Sequence, residues 1–395
     1  MTDFTRTRQA FHLPQGITYL DGNSLGPMPK AATDRVARMM ADEWSEMLIT
    51  GWNRAGWMDQ PGRVGDRIAR LIGAGPGQVV MGDTLSVKVF QAVSAARALR
   101  PDRRVILSDS GNFPSDLYVA EGLARAVGAE LRVVAPEDVE AAITPDLAVL
   151  MLTEVDYRTG RRHDMAALTA LAHKAGALTV WDLAHSAGAV DVDLLGADAD
   201  FAVGCTYKYL NGGPGAPAFI WTHPRLEDQA QPILQGWLGH AAPFAFDLDY
   251  RPAPGIQRMR VGTPPVIALA ALEAAMDVWD QVDMADLRAA SIALSERFIA
   301  GVEAECPGLI LNSPRDPARR GSQVGFRHPQ GYAVMQALIA KGVIGDFRAP
   351  DVLRFGFAPL YNSADDVDHA VAVLARILRE GSWDRPEFHR KSAVT

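Results

Sequence analysis

The sequence predicts an α/β fold: a mostly parallel, seven-stranded sheet flanked by helices, followed by a smaller α+β lobe. Between residues 79 and 221, short apolar runs alternate with segments of helical period. The apolar runs are nearly continuous in hydrophobicity, which is typical of strands buried on both faces of a parallel sheet. Such alternation of strands and helices is typical of doubly wound domains, whose ligands bind beyond the carboxyl ends of the strands.

Each predicted element has its own stretch of sequence. The predicted strands of the sheet are residues 78–82, 104–109, 130–135, 147–153, 177–182, 200–205 and 217–221. The predicted helices between them are residues 86–98, 115–127 and 165–175. The predicted elements of the smaller lobe are helices over residues 263–282, 291–305 and 364–380 and strands near residues 321–326 and 352–357.

These elements predict two domains. We expect a large α/β domain over residues 51–262 and a small α+β domain over residues 263–395. The N-terminal arm and a first helix, together residues 1–50, are expected to pack with the small lobe, and the helix itself is predicted near residues 30–46. The last residues, 385–395, are expected to be frayed.

Composition and charge restrict the class of protein. The 395-residue chain is 48% hydrophobic and 22% charged, as soluble globular proteins are. Its net charge of -8 argues against a nucleic-acid-binding protein, which would usually carry a basic stripe. The two cysteines, Cys205 and Cys306, exclude a disulfide framework, and neither lies in a zinc-binding pattern. Because no apolar run has membrane length and the start lacks a secretion signal, we expect a cytoplasmic protein. The cysteine pattern leads us to expect no metal.

One lysine stands out in the stretch CTYKYLNGGPG, residues 205–215. The chain has only six lysines, and arginine occupies nearly every other cationic position. Unlike arginine, a lysine can form a Schiff base at neutral pH, and burial favours its neutral, nucleophilic amine. Lys208 directly follows a predicted strand, at the end where ligands of such sheets bind. It is therefore a candidate covalent ligand of a cofactor, although a surface lysine in a loop would fit this stretch equally well.

The stretch LTVWDLAHSAG, residues 178–188, places Asp182 at the end of another predicted buried strand. A buried carboxylate is costly there unless it meets a positive partner. The pyridinium nitrogen of pyridoxal phosphate is such a partner, and His185 could contact the same ring. Taken alone, a helix N-cap and a core histidine explain this stretch better. A candidate lysine about 25 residues later makes the combination more specific.

Two further stretches offer ligand contacts at strand ends. In GDTLSV, a predicted strand passes into a helix at residues 84–86, where hydroxyls and free N–H groups can bind phosphate. In NFPSD, Phe113 could cover one face of a flat cofactor, with Asp116 beside it. Plain capping and a turn explain these stretches as well or better when each is taken alone. The glycine patterns of dinucleotide and P-loop sites do not occur in the sequence.

The order of these motifs resembles that of the fold-type-I pyridoxal-phosphate enzymes. Within that superfamily the chain is similar to the kynureninase family, in its bacterial form. The motifs that carry this resemblance further are YLDGNSLGPMPK at residues 19–30, GWLGH at 236–240, RVGTPPV at 260–266 and LRFGFAPLYNS at 353–363. The matches extend from Tyr19 to Ser363 in the order of the family, which is far more specific than any single motif.

The resemblance implies hydrolysis of the Cβ–Cγ bond of L-kynurenine to anthranilate and L-alanine, with pyridoxal 5'-phosphate as cofactor. Lys208 would bind the cofactor and act as a base, Asp182 would pair with its ring nitrogen, and Tyr207 would relay a proton. Arg354 would bind the substrate's α-carboxylate, a task that suits its two-pronged guanidinium. The residues implied to contact the cofactor are Leu85, Ser86, Phe113, Asp116, Thr153, Asp182, His185, Tyr207, Lys208, Trp237 and Thr263. Those implied to contact the substrate are Asn23, Ser24, Trp52 and Arg354.

The resemblance also implies a homodimer with the active site at its interface. Trp237 and Thr263 would reach the site from the partner subunit. The position that matches Trp52 is typically histidine in animal members of the family, and the one that matches Thr263 is asparagine. The tryptophan and threonine found here imply a preference for L-kynurenine over 3-hydroxy-L-kynurenine.

Other functions stay open at this point. A cysteine desulfurase or a small-substrate aminotransferase would share Lys208 and Asp182. A desulfurase needs a reactive cysteine on a mobile loop, whereas Cys205 is predicted within a strand and Cys306 follows a helix. The GWLGH and GTPP motifs argue against an aminotransferase. A non-catalytic regulator would need an added basic helix-turn-helix, and a scaffold without a cofactor would be colourless.

Overall fold

The computed structural model describes residues 1–391 of the chain. Its central feature is a seven-stranded sheet, which the sequence predicts. The strands are β1 Thr18–Tyr19, β2 Val79–Met81, β3 Val105–Asp109, β4 Glu130–Val134, β5 Leu147–Thr153, β6 Leu178–Asp182, β7 Phe201–Gly204, β8 Phe219–Thr222, β9 Ile310–Leu311, β10 Gln323–Arg327, β11 Val343–Ile344, β12 Asp346–Arg348 and β13 Val352–Gly356. The α-helices are α1 Phe4–Gln9, α2 Ala31–Arg38, α3 Gly51–Arg54, α4 Gln60–Ala69, α5 Leu85–Ala98, α6 Pro114–Val127, α7 Val139–Ala142, α8 Met165–Lys174, α9 Val266–Trp279, α10 Met284–Glu305, α11 Gly331–Ala340 and α12 Ala364–Glu380.

The large sheet has the strand order β2-β8-β7-β6-β5-β3-β4. Strands β3 to β7 pair in parallel, and β8 runs antiparallel to both of its neighbours. Strands β5 and β6 are buried along their whole length, because helices cover both faces of the sheet. Side chains from successive positions of β6 enter different cores: Trp181 enters one, and Leu178 and Val180 enter the other.

Strand β4 departs from the prediction of a strand buried on both faces. It lies at the edge of the sheet, paired only with β3, and Glu130 and Val133 are exposed. Glu130 and Arg132 interrupt its apolar run, whereas the run of the central strand β5 contains no charged residue, so the sequence itself differs between the two positions.

The small lobe is a four-stranded antiparallel sheet, β12-β13-β10-β9, covered by α10, α11 and α12. Its core centres on Phe298, which contacts the rings of Phe326, Phe355 and Phe357. Helix α12 has the predicted bounds, whereas α10 begins earlier than predicted because Asp283 caps its N-terminus. Apolar side chains on one face of each helix therefore bury this sheet.

The N-terminal arm contacts both lobes. Strand β1 pairs in parallel with β11 of the small lobe, whereas α1 packs on the core of the large domain. The predicted first helix is α2, which continues as a π-helix over Met39–Ser45. Helix α9 contributes Leu269, Met276 and Trp279 to the large core. The division at residue 262 stays a prediction, and this packing supports a boundary nearer to α10.

The chain terminus is more ordered than predicted. Pro386–His389 forms a 3-10 helix, and Phe388 packs against the core of the small lobe. The expectation of a frayed end is therefore wrong for this stretch, and residues 392–395 lie outside the described part of the chain. A half-buried aromatic side chain supplies the contact that holds it.

The N-terminus of α12 offers a test of local stability. The Ser363 hydroxyl accepts a hydrogen bond from the Asp366 backbone N–H, and the Asp366 carboxylate accepts one from the Ser363 N–H. Because this capping box is lost in Ser363→Ala, we expect that variant to lower the free energy of unfolding by about 1 kcal/mol. Urea denaturation measures this change. Ser110→Ala, at an exposed serine outside a cap, is the control, and an equal loss in both variants would contradict the assignment.

Candidate active site

A cavity of about 460 Å³ lies at the carboxyl ends of β5 and β6. This is the edge where open α/β sheets bind their ligands. Segments that follow five strands of the large sheet (β2, β3, β5, β6 and β7) meet the N-terminal arm and β12–β13 there. The residues that line the cavity are Asn23, Ser24, Thr84, Leu85, Ser86, Phe113, Ser115, Thr153, Tyr157, Asp182, Ala184, His185, Tyr207, Lys208, Gly215, Ala216, Arg348 and Arg354.

Lys208 enters the cavity from the loop after β7. Its Nζ lies 3.0 Å from Nε2 of His185. The backbone beside it is crowded, since a Cβ atom on Gly26 would lie 2.3 Å from the carbonyl oxygen of Lys208. The loop then turns through positive φ at Asn211 and at Gly213, whose φ is 93°. The close approach of the N-terminal arm therefore requires glycine at Gly26, and the left-handed turn favours glycine at Gly213.

Asp182 is buried at the end of β6. Its Oδ1 accepts a hydrogen bond of 2.8 Å from the N–H of Ala184, and its Oδ2 lies 3.4 Å from Oγ1 of Thr153. Burial raises the pKa of Asp182, although the charge of Lys208 opposes this. Burial and the neighbouring Asp182 also raise the pKa of Asp116 well above its usual range, and its Oδ2 has no hydrogen-bond partner among residues 1–391. Within residues 1–391 neither carboxyl forms a salt bridge, although the charge of Lys208 acts on both, so the pair fits a ligand with a positively charged ring nitrogen.

His185 is held in one orientation. The Gln323 amide donates to the backbone oxygens of Asp156 and Tyr157, so its Oε1 faces Nδ1 of His185 at 2.9 Å. Nδ1 therefore carries the proton, which leaves Nε2 as an acceptor for the Lys208 amine. Burial, with smaller contributions from the charges of Lys208 and Arg354, lowers the pKa of His185 well below its usual range, so the ring is neutral.

The N-terminus of α5 opens into the same cavity. Thr84 is its N-cap residue in extended conformation, and its side chain makes no capping hydrogen bond. Thr84, Leu85 and Ser86 all line the cavity, so free N–H groups and two hydroxyls face it. Because the helix has 14 residues and a positive dipole end at this point, the cavity fits the phosphate group of a cofactor.

The remaining wall of the cavity suits a flat organic ligand. Phe113 packs edge-on against Tyr157 at 5.1 Å between ring centroids. The polar atoms of the buried Asn23 side chain have no hydrogen-bond partner within the described residues, although Asn23 lines the cavity. The residues present therefore fit pyridoxal phosphate.

Known proteins match this chain over nearly its whole length. The chain is 52% identical to the kynureninase of Pseudomonas fluorescens over 98% of this chain and 95% of that protein. The chain belongs to the kynureninase family. It is also 50% identical to the kynureninase of Burkholderia pseudomallei (strain K96243) with the same coverage, and a family model described as the kynureninase C-terminal domain matches residues 287–374.

Solved structures of proteins with much lower sequence identity share this fold. A cysteine desulfurase from Thermococcus onnurineus NA1 aligns with a TM-score of 0.81 at 18% identity, covering 95% of this chain and 98% of that one. The Escherichia coli cysteine desulfurase gives a TM-score of 0.81 at 19% identity, covering 96% and 99%. The predicted fold class, a fold-type-I α/β protein with a smaller lobe, is thereby confirmed.

Most of the predicted site residues line the same cavity. The predicted residues that line the cavity are Asn23, Ser24, Leu85, Ser86, Phe113, Thr153, Asp182, His185, Tyr207, Lys208 and Arg354. Asp116 lies next to Asp182 without lining the cavity. Trp52 packs against Trp57 instead, and Trp237 and Thr263 are exposed. Cys205 lies just after β7 rather than within it, and it is buried. The roles of all these residues stay predictions.

Sequence reasoning missed several residues at this kynureninase-type site. Tyr157, Arg348 and Gln323 come from outside the stretches that the motifs picked out. Tyr157 lies four residues beyond the end of a predicted strand, a position that could have indicated it. Gln323 meets His185 across 138 positions of sequence, and no local pattern indicates such a contact.

Gln323 offers a test of the His185 geometry. In Gln323→Glu a carboxylate would accept the Nδ1 proton, so we expect the pKa of His185 to rise by about 1–3. NMR titration of the cofactor-free protein with labelled histidine measures this pKa. Gln229→Glu, at an exposed glutamine, adds the same charge away from the cavity and is the control. An unchanged His185 titration in Gln323→Glu would show that the assigned contact is wrong.

Proposed function

We propose that this protein is a kynureninase that hydrolyses L-kynurenine to anthranilate and L-alanine with pyridoxal 5'-phosphate. The proposal rests above all on one observation: the Lys208 amine, the buried Asp182 carboxyl and the N-terminus of α5 face a single cavity. Membership of the kynureninase family supports the substrate. In a cell this reaction would be a step of tryptophan and kynurenine catabolism.

Within the cavity each part of the cofactor has a proposed ligand. Lys208 would bind its aldehyde carbon, Asp182 would face its ring nitrogen, and residues 84–86 with Tyr207 would hold its phosphate. Phe113 would cover one face of the ring, with His185 beside it. When bound, the cofactor would supply an electron sink for cleavage of the substrate's Cβ–Cγ bond.

Proton transfer falls to side chains of this chain. The free Lys208 amine would take the α-proton of the substrate, and Nε2 of His185 orients that amine by accepting its hydrogen bond. Tyr207 lies beside Lys208, whose Nζ is 5.8 Å from the centre of the tyrosine ring. Because burial raises the pKa of Tyr207, its hydroxyl keeps its proton and can relay it near the phosphate end.

A homodimer would complete the site. Large apolar side chains are exposed in two segments, residues 40–49 and 237–248. These side chains are Met40, Trp44, Leu48, Ile49, Trp237, Phe244, Phe246 and Leu248. Exposed apolar surface on this scale marks an interaction site. We propose that a second copy covers it and that Trp237 and Thr263 reach the partner subunit's cavity; sedimentation velocity would detect the dimer.

The location of the protein in the cell is also a proposal. Among residues 1–391, no helix combines the length and apolar composition that a bilayer-spanning helix needs. We propose a cytoplasmic enzyme.

Metal sites were also expected to be absent. Residues 1–391 hold no group of three or more His, Cys, Asp or Glu side chains placed to bind a metal ion.

The two residues implied to set substrate preference, Trp52 and Thr263, do not line the cavity of a single chain. Trp52 is half-buried against Trp57, with ring centroids 5.7 Å apart, and Thr263 is exposed. We propose that these residues, brought to the site in the dimer, favour L-kynurenine over 3-hydroxy-L-kynurenine. The ratio of kcat/KM for the two substrates measures this preference.

A cysteine desulfurase is an alternative with the same fold. It would need a reactive thiol, but both cysteines are buried. Burial raises the pKa of the Cys205 thiol and raises that of Cys306 to about 11. Neither thiol is thus activated as a nucleophile. An aminotransferase differs instead in its need for a keto acid.

One assay distinguishes these functions. Purified protein loaded with pyridoxal phosphate is given L-kynurenine, and anthranilate fluorescence is followed with and without a keto acid. We expect anthranilate to form at the same rate in both cases. Turnover that requires the keto acid would indicate an aminotransferase, and sulfide release from L-cysteine without anthranilate formation would indicate a desulfurase.

A further inference from the structure

Three charged side chains share one face of the small sheet at the cavity. Asp346 on β12 lies directly opposite Arg354 on β13, and Arg348 lies two positions further along β12. Side chains two positions apart on a strand point to the same face. Asp346 and Arg354 are both buried, whereas about a third of the Arg348 side chain is exposed, at 34%.

The two-pronged edge of Arg354 is already occupied. Its Nε donates to Oδ1 of Asp346 at 2.7 Å, and one Nη2 proton goes to Oδ2 of the same carboxylate. The other Nη2 proton is donated to Oγ of Ser24 at 2.8 Å, and Nη1 donates to the backbone oxygen of Tyr157. Since a guanidinium has five N–H groups, one N–H on Nη1 is left for a ligand.

Arg348 has more donors to offer. Its Nη2 donates to Oδ2 of Asp346 at 2.7 Å and, at 3.4 Å, to Oγ of Ser24. Its Nη1 makes only a long contact of 3.3 Å with the adjacent backbone oxygen of Phe347. Its buried Nε has no hydrogen-bond partner within the described residues. Arg348 lines the cavity together with Arg354 and Ser24.

The charges do not cancel at this face. Two guanidiniums face one carboxylate, and the charges of Arg354 and Arg348 lower the pKa of Asp346 against the opposing effect of burial. Asp21 is the other acidic group close by, and burial and the charge of Asp346 raise its pKa to about 7. Below that pH the cluster therefore keeps a net positive charge directed at the cavity.

We propose that Arg348 binds the substrate's α-carboxylate together with the free N–H of Arg354, and that Asp346 is a positioning residue that fixes Arg354. This inference rests on the proposed function for the class of ligand, an L-amino acid. The predicted role of Arg354 then becomes half of a two-arginine site.

The experiment measures binding rather than turnover. Protein loaded with pyridoxal phosphate is titrated below pH 7 with L-alanine or with ethylamine, its counterpart without the carboxylate, and the visible absorbance gives each Kd. For Arg348→Gln we expect the Kd of L-alanine to rise about 10- to 100-fold, with the Kd of ethylamine unchanged. Arg348→Lys is expected to recover part of the loss, because it restores the charge without the planar fork.

Arg327→Gln is the matched control, because Arg327 lies on the neighbouring strand β10 in an exposed ion pair with Asp351. It is expected to bind both ligands as the parent protein does. Unchanged L-alanine affinity in Arg348→Gln, or an equal loss for L-alanine and ethylamine, would overturn the proposal. Because the titration uses no kynurenine, its result can be interpreted even if the protein does not cleave kynurenine.

Discussion

Lys208→Ala is expected to remove the visible absorbance of the lysine-bound cofactor and to lower kcat by at least about 1,000-fold. The reason is twofold, because the variant loses both the covalent attachment and the base that takes the α-proton, and a positioned base alone contributes about 10²–10⁴-fold. Absorbance spectra and anthranilate fluorescence from L-kynurenine measure the two effects.

Lys174→Ala, at an exposed lysine, is the control for that variant and is expected to keep the parent's spectrum and turnover. Circular dichroism of both variants tests the fold. Lys208→Ala with the parent's spectrum and turnover would end the proposed function, since no other lysine lines the cavity.

Asp182→Asn is expected to lower kcat by about 10²–10⁴-fold while it keeps the shape of the site. The carboxylate would face the positive ring nitrogen of the bound cofactor, and loss of one partner of a buried charge pair costs about 3–5 kcal/mol. At 1.36 kcal/mol for each factor of ten, such a loss gives a rate effect of this size. The rate of anthranilate formation and the affinity for the cofactor measure it.

Asp200→Asn is the matched control. Asp200 is also fully buried and paired, with Thr179 and Arg225, but it precedes β7 at the opposite end of the strand from the cavity. Its loss is expected to reduce stability without changing turnover per folded molecule. Equal turnover in Asp182→Asn and Asp200→Asn would show that Asp182 has no special part in the reaction.

The sequence predicted those parts of the fold that local patterns determine. Strand β5 and helix α12 have their predicted bounds, because long apolar or amphipathic runs with clear end signals mark them. The reversed direction of β8 was not predictable, since pairing depends on the rest of the sheet. The charged residues Glu130 and Arg132 within β4 could have indicated an edge strand. The short strands β1 and β11 have two residues each and offer no period to detect.

In the site, too, local sequence patterns indicate some residues, whereas others depend on long-range packing. Lys208 and Asp182 could be predicted because each follows or ends a strand at the edge where ligands bind. Arg348 lines the cavity and Gln323 contacts His185, both from the small lobe, so their part depends on how the lobes pack. The motifs of the family indicated site residues that periodicity could not indicate. The different roles proposed for Arg348 on β12 and Arg354 on β13 follow only from their contacts in the structure.

Chemical trapping tests the central claim most directly. The protein loaded with pyridoxal phosphate is reduced with borohydride, digested and analysed by mass spectrometry to locate the modified lysine. We predict modification at Lys208 and none at Lys88, the fully buried lysine that contacts Asp83 and Gln91. A pyridoxyl group on any other lysine, with Lys208 unmodified, would contradict the account.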